Sequence, residues 1–252
     1  MKIGAQFYTL RDRCATPQGF AEMLKRVADI GYTAVQISGV CQYDPEWLAK
    51  ELKKNGLECA LTHWNVDEVR EDPIGVLEKH RIFGCNRVGI GCMPKWATEE
   101  NTYKFIEDYK DCARILKENG GKLFYHNHHC EFTKCSDGEL IFDKLIKAFS
   151  PDELGFTLDT YWVQVGGADT CDWLKKLKGR VECIHLKDLA IVNDEQHMAP
   201  IGKGNMNFER ILDTAKKSGT KFALVEQDLC YGEDPLDCLK QSYDYLKSLG
   251  LK

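Results

Sequence analysis

Carboxylate and imidazole side chains recur in the second half of the chain, each at the end of a short apolar run. His126 is followed by His128 after one such run, Asp159 ends the next, His185 lies in the third and Glu226 closes the fourth. Carboxylates and imidazoles that share one site suit Mn²⁺, Mg²⁺, Co²⁺ or Zn²⁺. Without a cation, Asp159 and Glu226 side by side would repel, and one of them would have to take up a proton. The residue types therefore predict a site for one divalent metal ion.

These residues belong to a pattern that covers the whole chain. Short apolar runs alternate with longer amphipathic segments, and the alternation repeats eight times. Strands are predicted over residues 2–8, 34–37, 58–62, 87–91, 122–127, 154–159, 181–186 and 222–226. Helices are predicted over residues 17–30, 44–54, 72–83, 98–119, 137–149, 170–177, 207–218 and 235–249.

The alternation predicts a closed barrel. Gly31, Gly56 and Gly219 each follow a predicted helix, where glycine readily adopts the left-handed conformation that ends it. Strands that alternate with helices imply a parallel sheet, and eight such units in 252 residues fit the α/β fold of a (β/α)8 TIM barrel. The rival, an open doubly wound sheet, usually has a glycine-rich turn after its first strand, but residues 9–12 contain no glycine. No linker divides the chain, so residues 1–252 are expected to form a single domain.

In a TIM barrel the catalytic residues lie at the carboxyl ends of the strands. The last four predicted strands end in carboxylate or imidazole groups, so these groups should converge on one half of the barrel mouth. The first four strands end in Thr9, Ser38, His63 and Cys92, a poorer set of metal ligands. The longest connection, residues 187–206, follows the seventh strand and contains two closely spaced glycines, which predicts a shaped, partly mobile loop on the same face.

Taken together, these motifs resemble the xylose isomerase-like TIM barrels. That group contains sugar phosphate isomerases and epimerases and also inosose dehydratase-like enzymes. The resemblance covers essentially the whole chain, and the order and spacing of its motifs are far more specific than any one of them. Its carriers are Tyr125-His126-Asn127-His128 with Glu131-Phe132, Leu158-Asp159-Thr160, Ile184-His185-Leu186-Lys187-Asp188, Pro200-Ile201-Gly202-Lys203-Gly204 and Val225-Glu226-Gln227-Asp228.

The resemblance implies one divalent metal ion, bound by Glu, Asp, His and Glu from strands five to eight. Asp159, His185 and Glu226 match this pattern position by position. The first ligand departs from it, because His126 stands where many members have glutamate. We expect Glu131, which lies in the following loop, to fold back and supply the missing carboxylate, with His126 as the alternative ligand.

The resemblance also implies that the substrate is a small sugar. In the family, the lysine after the histidine ligand approaches substrate oxygens, which assigns Lys187 to the catalytic residues. His63 and His128 are expected to contact the substrate from their strand ends. Trp162 stands where many relatives have histidine; it cannot bind a metal, but it can stack on the apolar face of a sugar, as we also expect of Trp96. This departure argues against the three-metal DNA-repair endonucleases of the same superfamily.

A cation beside carboxylates is suited to removing a proton next to a carbonyl group, because it stabilises the negative charge that develops. Glu226 on one side and Glu131 or His126 on the other are the expected base and acid. The resulting enediolate-like intermediate can lead to epimerisation, isomerisation or dehydration. The leading hypothesis is a metal-dependent sugar isomerase or epimerase acting on a keto-sugar or sugar phosphate. The alternative is a dehydratase or lyase acting on a keto-inositol or 3-keto-sugar, and a non-catalytic sugar-binding barrel ranks third.

The composition argues against several other classes of protein. The chain has 34 Lys and Arg against 39 Asp and Glu, and this net charge of −5 lacks the basic footprint of a nucleic-acid binder. No apolar run approaches the roughly 20 residues of a membrane-spanning helix, and the N-terminal segment lacks the apolar region of a signal peptide. The 12 cysteines include no Cys-x-x-Cys pair, which is typical of reduced thiols in a cytosol. We therefore expect a cytoplasmic enzyme without nucleic-acid or membrane partners, whose partners are a small sugar and, in a homo-oligomer, other copies of the chain.

Overall fold

Eight strands form the inner wall of a barrel in the computed structural model, which describes residues 1–251. Their order around the sheet follows the chain, and the last strand pairs in parallel with the first, which confirms the predicted TIM barrel. The barrel strands are β1 (Lys2–Gln6), β2 (Ala34–Ile37), β3 (Glu58–Thr62), β4 (Arg87–Ile90), β5 (Lys122–His126), β6 (Leu154–Asp159), β7 (Cys183–Leu186) and β10 (Phe222–Val225).

The barrel closes between β3 and β4. The backbone N–H of Trp64 donates to the carbonyl oxygen of Gly89 over 2.8 Å. A Cβ atom on Gly89 would lie only 2.2 Å from the carbonyl oxygen of Thr62. Glycine is therefore needed at this position, because any side chain would force the two strands apart.

Helices cover the outside of the barrel. Six of the long ones begin at a Thr, Asp or Asn side chain that accepts a backbone N–H of the first turn, which satisfies one of the free donors at the helix start. The α-helices are α1 (Pro17–Ile30), α2 (Pro45–Lys54), α3 (Val66–Glu71), α4 (Pro73–Ile82), α5 (Glu99–Glu118), α6 (Ile141–Ala148), α7 (Thr160–Val165), α8 (Thr170–Lys176), α9 (Phe208–Lys217) and α10 (Pro235–Ser248). Two 3₁₀ helices, Phe7–Arg13 and Cys130–Phe132, follow β1 and β5.

The connection after β7 is more ordered than its sequence suggests. Its first half is an antiparallel hairpin of β8 (Asp188–Val192) and β9 (Glu195–Ala199). Asn193 and Asp194 form the two-residue turn, and both have positive φ angles, of 52° and 65°. Asn and Asp tolerate this conformation, which matches the twist of a hairpin. The predicted mobile loop is thus in part a hairpin.

Alternation along the strands separates two layers of buried side chains. Phe124, Cys183 and Leu224 belong to an apolar cluster that fills the lower part of the barrel. Their chain neighbours, such as Tyr125 and Ile184, belong to the larger cluster between the barrel wall and the helices. Because side chains two residues apart lie on the same face of a strand, the next inward positions are at the mouth. Within residues 1–251, none of the helices combines the length and the apolar character needed to cross a membrane.

Candidate active site

Four buried side chains converge at the mouth of the barrel. His126, Asp159, His185 and Glu226 each offer one ligand atom, and these atoms all lie within 4.8 Å of one another. The first three lie at or near the ends of β5, β6 and β7, and Glu226 directly follows β10. Asp159 is the strand partner of His185, which brings their side chains together. We call these four residues the donor group.

The donor group departs from the expected ligand set at its first member. Glu131 is fully buried, but its carboxylate lies elsewhere: Oε1 accepts the hydroxyl of Tyr125 over 2.6 Å, and Oε2 accepts the backbone N–H of His128 over 2.7 Å. Tyr125 points away from the barrel interior, so Glu131 is held behind the wall of β5. The structure therefore brings His126, the alternative ligand, to the position expected for Glu131.

Each imidazole of the donor group presents a lone pair to the centre. Nδ1 of His126 lies 3.0 Å from the carbonyl oxygen of Gly91, which can only accept, so Nδ1 carries the proton and Nε2 is free of one in the neutral ring. Nε2 lies 3.2 Å from Oδ2 of Asp159. On His185, Nε2 lies 2.7 Å from Oε1 of Gln36, which leaves Nδ1 as the atom without a proton. Hydrogen bonds of this kind fix the tautomer of metal-binding histidines.

The carboxylates complete the match to a cation. Oδ1 of Asp159 accepts the backbone N–H groups of Tyr161 and Trp162 at the start of α7, which leaves Oδ2 for the centre. Oε2 of Glu226 lies 2.9 Å from Nδ1 of His185, a buried atom without a hydrogen-bond partner among residues 1–251, and 3.1 Å from Nζ of Lys187. Acceptor atoms this close and this buried require positive charge between them. The donor group could therefore hold a metal ion.

A proton competes with a metal ion for Nδ1 of His185. Burial by itself lowers the pKa of this imidazole, but the carboxylates of Glu226 and Asp159 outweigh burial and raise it to about 9. Burial also favours the neutral acids of Asp159 and Glu226, but the Lys187 ammonium group and the imidazoles hold the pKa of both carboxyls well below the usual range. The two carboxylates therefore stay ionised, ready to bind a cation.

Lys187 connects three carboxylates beside the donor group. Its Nζ lies 3.2 Å from Oδ2 of Asp159, 3.1 Å from Oε2 of Glu226 and 3.0 Å from Oδ2 of Asp228. Burial lowers the pKa of Lys187, but the three carboxylates outweigh it and raise the pKa above its ordinary value. Thr160 fixes the lysine backbone, since its hydroxyl donates to the Lys187 carbonyl and accepts the Lys187 N–H. Lys187 is therefore a permanently charged ammonium group at the mouth.

The other predicted substrate residues surround a cavity of about 410 Å³ above the donor group, which we call the mouth cavity. His63, Trp96 and His128 line it, and Trp162 packs against His128 with ring centroids 5.4 Å apart. Three nitrogen atoms here are buried without a hydrogen-bond partner in the described part of the chain: Nε2 of His63, Nδ1 of His128 and Nε1 of Trp162. Burial and the neighbouring imidazoles lower the pKa of His63, and burial and His126 lower that of His128 to about 3, so both rings are neutral. These atoms are available to the hydroxyl groups of a ligand.

Trp96 is held over the cavity by a strained turn. Lys95 and Trp96 both have positive φ angles, of 59° and 69°. The side-chain amide of Asn101 donates to both of their carbonyl oxygens, over 2.9 and 3.0 Å. Trp96, 44% exposed, packs its indole against His128 at 4.8 Å between ring centroids, with the two rings tilted by 45°. Strain of this kind persists only where the surrounding contacts enforce it.

Several residues that hold the donor group were missed by the sequence analysis. Nε2 of Gln6 donates to Oε1 of Glu226 over 2.8 Å, and Gln36 faces His185 as described above. Asn127 accepts the backbone N–H of Asp159 over 3.0 Å. A signal was present for Gln6 and Gln36, because a glutamine inside an otherwise apolar strand needs a buried partner. That partner cannot be identified without the closed barrel.

The glycine-rich loop after the hairpin binds an internal carboxylate. Oδ2 of Asp188 accepts the backbone N–H groups of Gly202 and Gly204, each over 2.9 Å, and Oδ1 accepts those of Leu189 and Met206. Asp188 is fully buried. Barrels often bind phosphate through backbone N–H groups of this region, but here those groups are already occupied.

Comparisons with known proteins agree with this architecture. Residues 24–249 match the family model described as xylose isomerase-like TIM barrel. An inosose dehydratase from Geobacillus kaustophilus is 25% identical over 194 residues, which cover 67% of this chain and 61% of that protein. An inosose dehydratase from Mesomycoplasma hyopneumoniae is 25% identical over 269 residues, which cover 91% of this chain and 88% of that protein.

The solved structures include a close match in fold. A sugar phosphate isomerase/epimerase from Parabacteroides distasonis superposes with a TM-score of 0.81 at 23% sequence identity, covering 98% of this chain and 94% of that one. At this level of identity the similarity concerns the fold, and the chemistry has to be argued from the site itself.

Proposed function

Because the chain belongs to the xylose isomerase-like TIM barrel family, we propose that it is a divalent-metal-dependent enzyme that transfers a proton beside the carbonyl group of a keto-sugar or keto-polyol. One observation carries the proposal: His126, Asp159, His185 and Glu226 direct acceptor atoms at one buried point beneath a cavity of ligand size. Two of these atoms, Nδ1 of His185 and Oε2 of Glu226, lie only 2.9 Å apart, so that a proton or a cation is needed between them.

The donor group would hold the metal ion. Two imidazoles with two carboxylates favour Mn²⁺, Co²⁺ or Zn²⁺ over Mg²⁺, which prefers oxygen ligands. When bound, such an ion supplies Lewis-acid chemistry that makes the hydrogen beside a carbonyl group acidic.

The side chains around the donor group account for the proton transfer. Glu226 stays ionised, and Gln6 holds its Oε1, so its carboxylate can take the proton from the carbon next to the carbonyl group. The Lys187 ammonium group stabilises the negative oxygen of the enediolate-like intermediate. His63 and His128 bind substrate hydroxyl groups through their unpartnered nitrogens.

Dehydration is the outcome that this arrangement favours. With Glu131 behind the barrel wall, the carboxylates that line the mouth cavity are Glu226 and Asp228, and Glu226, which belongs to the donor group, is the one we assign to act on the substrate carbon. One carboxylate suffices when a proton and a hydroxyl group leave from the same face: Glu226 removes the proton from carbon and passes it to the departing hydroxyl, so that water is lost and Glu226 returns to its starting state. The curated relatives named inosose dehydratase support this outcome.

Isomerisation or epimerisation is the second candidate. Aldose–ketose isomerisation on one face also needs a single carboxylate. Epimerisation needs a second group on the opposite face, and His63, which reaches the mouth cavity from the β3 side with a free Nε2, is the residue placed to provide it.

The substrate we propose is uncharged. Lys187 is the sole cation among the residues that line the mouth cavity, and three carboxylates already neutralise it. The backbone donors of the glycine-rich loop are bound to Asp188. A phosphate group would therefore find no free cation among the residues that line the mouth cavity, and of the two substrates named by the leading hypothesis we propose the keto-sugar rather than the sugar phosphate.

The test is proton exchange in D₂O. The Mn²⁺-loaded protein is incubated with a keto-inositol and with a panel of ketohexoses, and NMR follows deuterium incorporation while ultraviolet absorbance follows enone formation. Enone formation identifies the dehydratase, and deuterated epimers or aldoses identify the isomerase or epimerase. Glu226→Gln should lower the exchange rate by about 10²–10⁴-fold. Tight sugar binding without any exchange would instead support a non-catalytic sugar-binding barrel.

A further inference from the structure

A second cavity opens beside the mouth cavity, and no residue of the donor group lines it. We call it the outer cleft; it is formed by residues 37–43 after β2 and by His63, Trp64, Asn65 and Glu68 around the end of β3. Its volume is about 410 Å³, equal to that of the mouth cavity. Ser38, Gly39 and His63 line both cavities, so the outer cleft continues the mouth cavity directly.

The size of the two cavities exceeds what one sugar ring needs. Sites for small ligands in proteins typically enclose ~300–1,000 Å³, so the mouth cavity alone is large enough for a monosaccharide. A ligand that reacts beside Glu226 and also fills the outer cleft must extend past His63. The outer cleft is therefore suited to a second part of the same molecule.

Two fixed aromatic rings line the outer cleft. Tyr43 and Trp64 meet edge to face, with ring centroids 6.1 Å apart. Nε1 of Trp64 donates to Oε2 of Glu68 over 2.8 Å, which holds the indole, and Tyr43 packs on its other side against Phe20 and Phe83. Rigid rings of this kind provide apolar contact area at a small cost in conformational entropy.

The polar groups of the outer cleft favour an uncharged ligand. Gln42 is exposed there, and Asn65 uses its side-chain oxygen to cap α3 while its amide nitrogen has no partner among residues 1–251. No lysine or arginine is among its lining residues, and the carboxylate of Glu68 is paired with Lys79. Amide groups beside aromatic rings suit hydroxyl groups on a ring, whereas an anionic group would have no cation to bind.

We propose that the substrate is a keto-sugar glycoside, with the keto-sugar ring in the mouth cavity and a second, uncharged ring in the outer cleft against Tyr43 and Trp64. This inference rests on the proposed function for the assignment of the reacting ring. The second ring supplies binding energy away from the reacting carbon. His63, which lies between the two cavities, contacts the link between the rings.

Binding of non-reacting sugars tests the proposal without any need for turnover. Isothermal titration calorimetry compares glucose with cellobiose and maltose, which add a sugar ring, and with 4-nitrophenyl glucoside, which adds an aromatic ring. We expect at least one two-ring ligand to bind the wild-type protein about tenfold or more tightly than glucose. Comparison of the disaccharides with 4-nitrophenyl glucoside shows whether the outer cleft prefers a second sugar or an aromatic ring.

Matched variants locate the second ring. Trp64→Ala should remove the tenfold advantage and change glucose affinity by less than about twofold, and Trp64→Phe should restore most of it. Gln42→Ala, an exposed position that lines the outer cleft alone, should cost about threefold in two-ring affinity and keeps the test open if Trp64→Ala does not fold. Trp96→Ala, in the mouth cavity, should weaken both ligands equally.

The outcomes separate this inference from the proposed function. Equal affinity for one-ring and two-ring sugars overturns the inference, even if ketohexoses exchange protons. A two-ring advantage that depends on Trp64, without proton exchange on any keto-sugar, supports the outer cleft and overturns the proposed reaction. Absence of binding by every sugar in the panel overturns the inference, and absence of proton exchange on every keto-sugar overturns the proposed function.

Discussion

The two halves of the barrel mouth differ in charge and in task. The half built by β5, β6, β7 and β10 carries ionisable groups, which are His126, Asp159, His185, Lys187 and Glu226. The half built by β1 to β4 carries neutral groups, which are Gln6, Gln36, His63 and the carbonyl group of Gly91.

Each neutral group that contacts the donor group orients one of its members. Gln36 faces His185 from a position 149 residues earlier, Gln6 donates to Glu226 from 220 residues earlier, and the Gly91 carbonyl oxygen accepts a hydrogen bond from His126 from 35 residues earlier. The charged half therefore determines which kind of ion the donor group can bind, while the neutral half determines where the ligand atoms of the donor group point. A site with either half alone would lack a fixed geometry.

The largest effect should come from a ligand of the charged half. Asp159→Asn keeps the shape of the side chain but removes the charge that faces His126 and Lys187, so metal affinity should fall by more than about 100-fold, beyond the range of outer-shell substitutions. The loss of affinity is measured as the metal content of the protein after dialysis against Mn²⁺. Asp111→Asn on the exposed side of α5 is the control. If Asp159→Asn retained its full metal content, Asp159 would not be a ligand of the metal ion.

A substitution in the neutral half should have an intermediate effect. Gln36→Leu leaves Nε2 of His185 without a partner, and the imidazole is then free to change its tautomer, so metal affinity should fall by about 10–100-fold. Titration with Mn²⁺ measures the affinity, and circular dichroism verifies the fold. Gln196→Leu on the exposed hairpin provides the matched substitution. If affinity stays at the wild-type value, the neutral half has no orienting role.

Glu131 is a buried carboxylate that belongs to neither half of the mouth, so its substitution should affect stability rather than metal binding. In Glu131→Gln one oxygen that accepts from Tyr125 or His128 is replaced by a donor, so the free energy of unfolding should fall by about 1–3 kcal/mol. Metal content should stay unchanged. Urea unfolding and metal analysis of the same preparation give both values, with exposed Glu107→Gln as the control. Loss of metal equal to that in Asp159→Asn would restore Glu131 as a ligand.

The smallest effect concerns a histidine far from the mouth. His80 is fully buried between Thr62 and the carbonyl group of Val76, and burial lowers its pKa to about 4. The unfolded chain takes up a proton at His80 below about pH 6.5, whereas the folded chain does not. The contribution of neutral His80 to the free energy of unfolding is therefore complete above about pH 6.5 and is lost as the pH falls towards 4. The free energy of unfolding should drop by about 1 kcal/mol from this group between about pH 7 and about pH 5.5.

Chemical denaturation across that pH range tests the His80 prediction. His80→Gln lacks the titrating group, so its unfolding free energy should fall less steeply with pH than that of the wild type. Parallel slopes for the two proteins would mean that His80 titrates normally in the folded state.

The strands of the barrel were predicted from the sequence more accurately than the segments that connect them. All eight barrel strands were predicted within two residues of their ends at the mouth, because apolar runs between polar segments report burial directly. The short helices α3 and α7 and the hairpin β8–β9 were missed. The first of them, α3, is held by a contact with a distant part of the chain, since the Tyr109 hydroxyl donates to the Val66 carbonyl oxygen at its start. The pattern of apolar residues within a short segment does not predict a contact of that kind.

What the sequence alone determined is the ring of strand ends and the inward direction of their side chains. Alternation along a strand is a local property, so the convergence of Asp159, His185 and Glu226 could be read from spacing. Only the tertiary structure placed His126, and not Glu131, in the donor group, revealed Gln6 and Gln36 as its hydrogen-bond partners, and joined the outer cleft to the mouth cavity. Those outcomes depend on which buried hydrogen bonds form between residues far apart in the chain, and these bonds exist only once the barrel has closed.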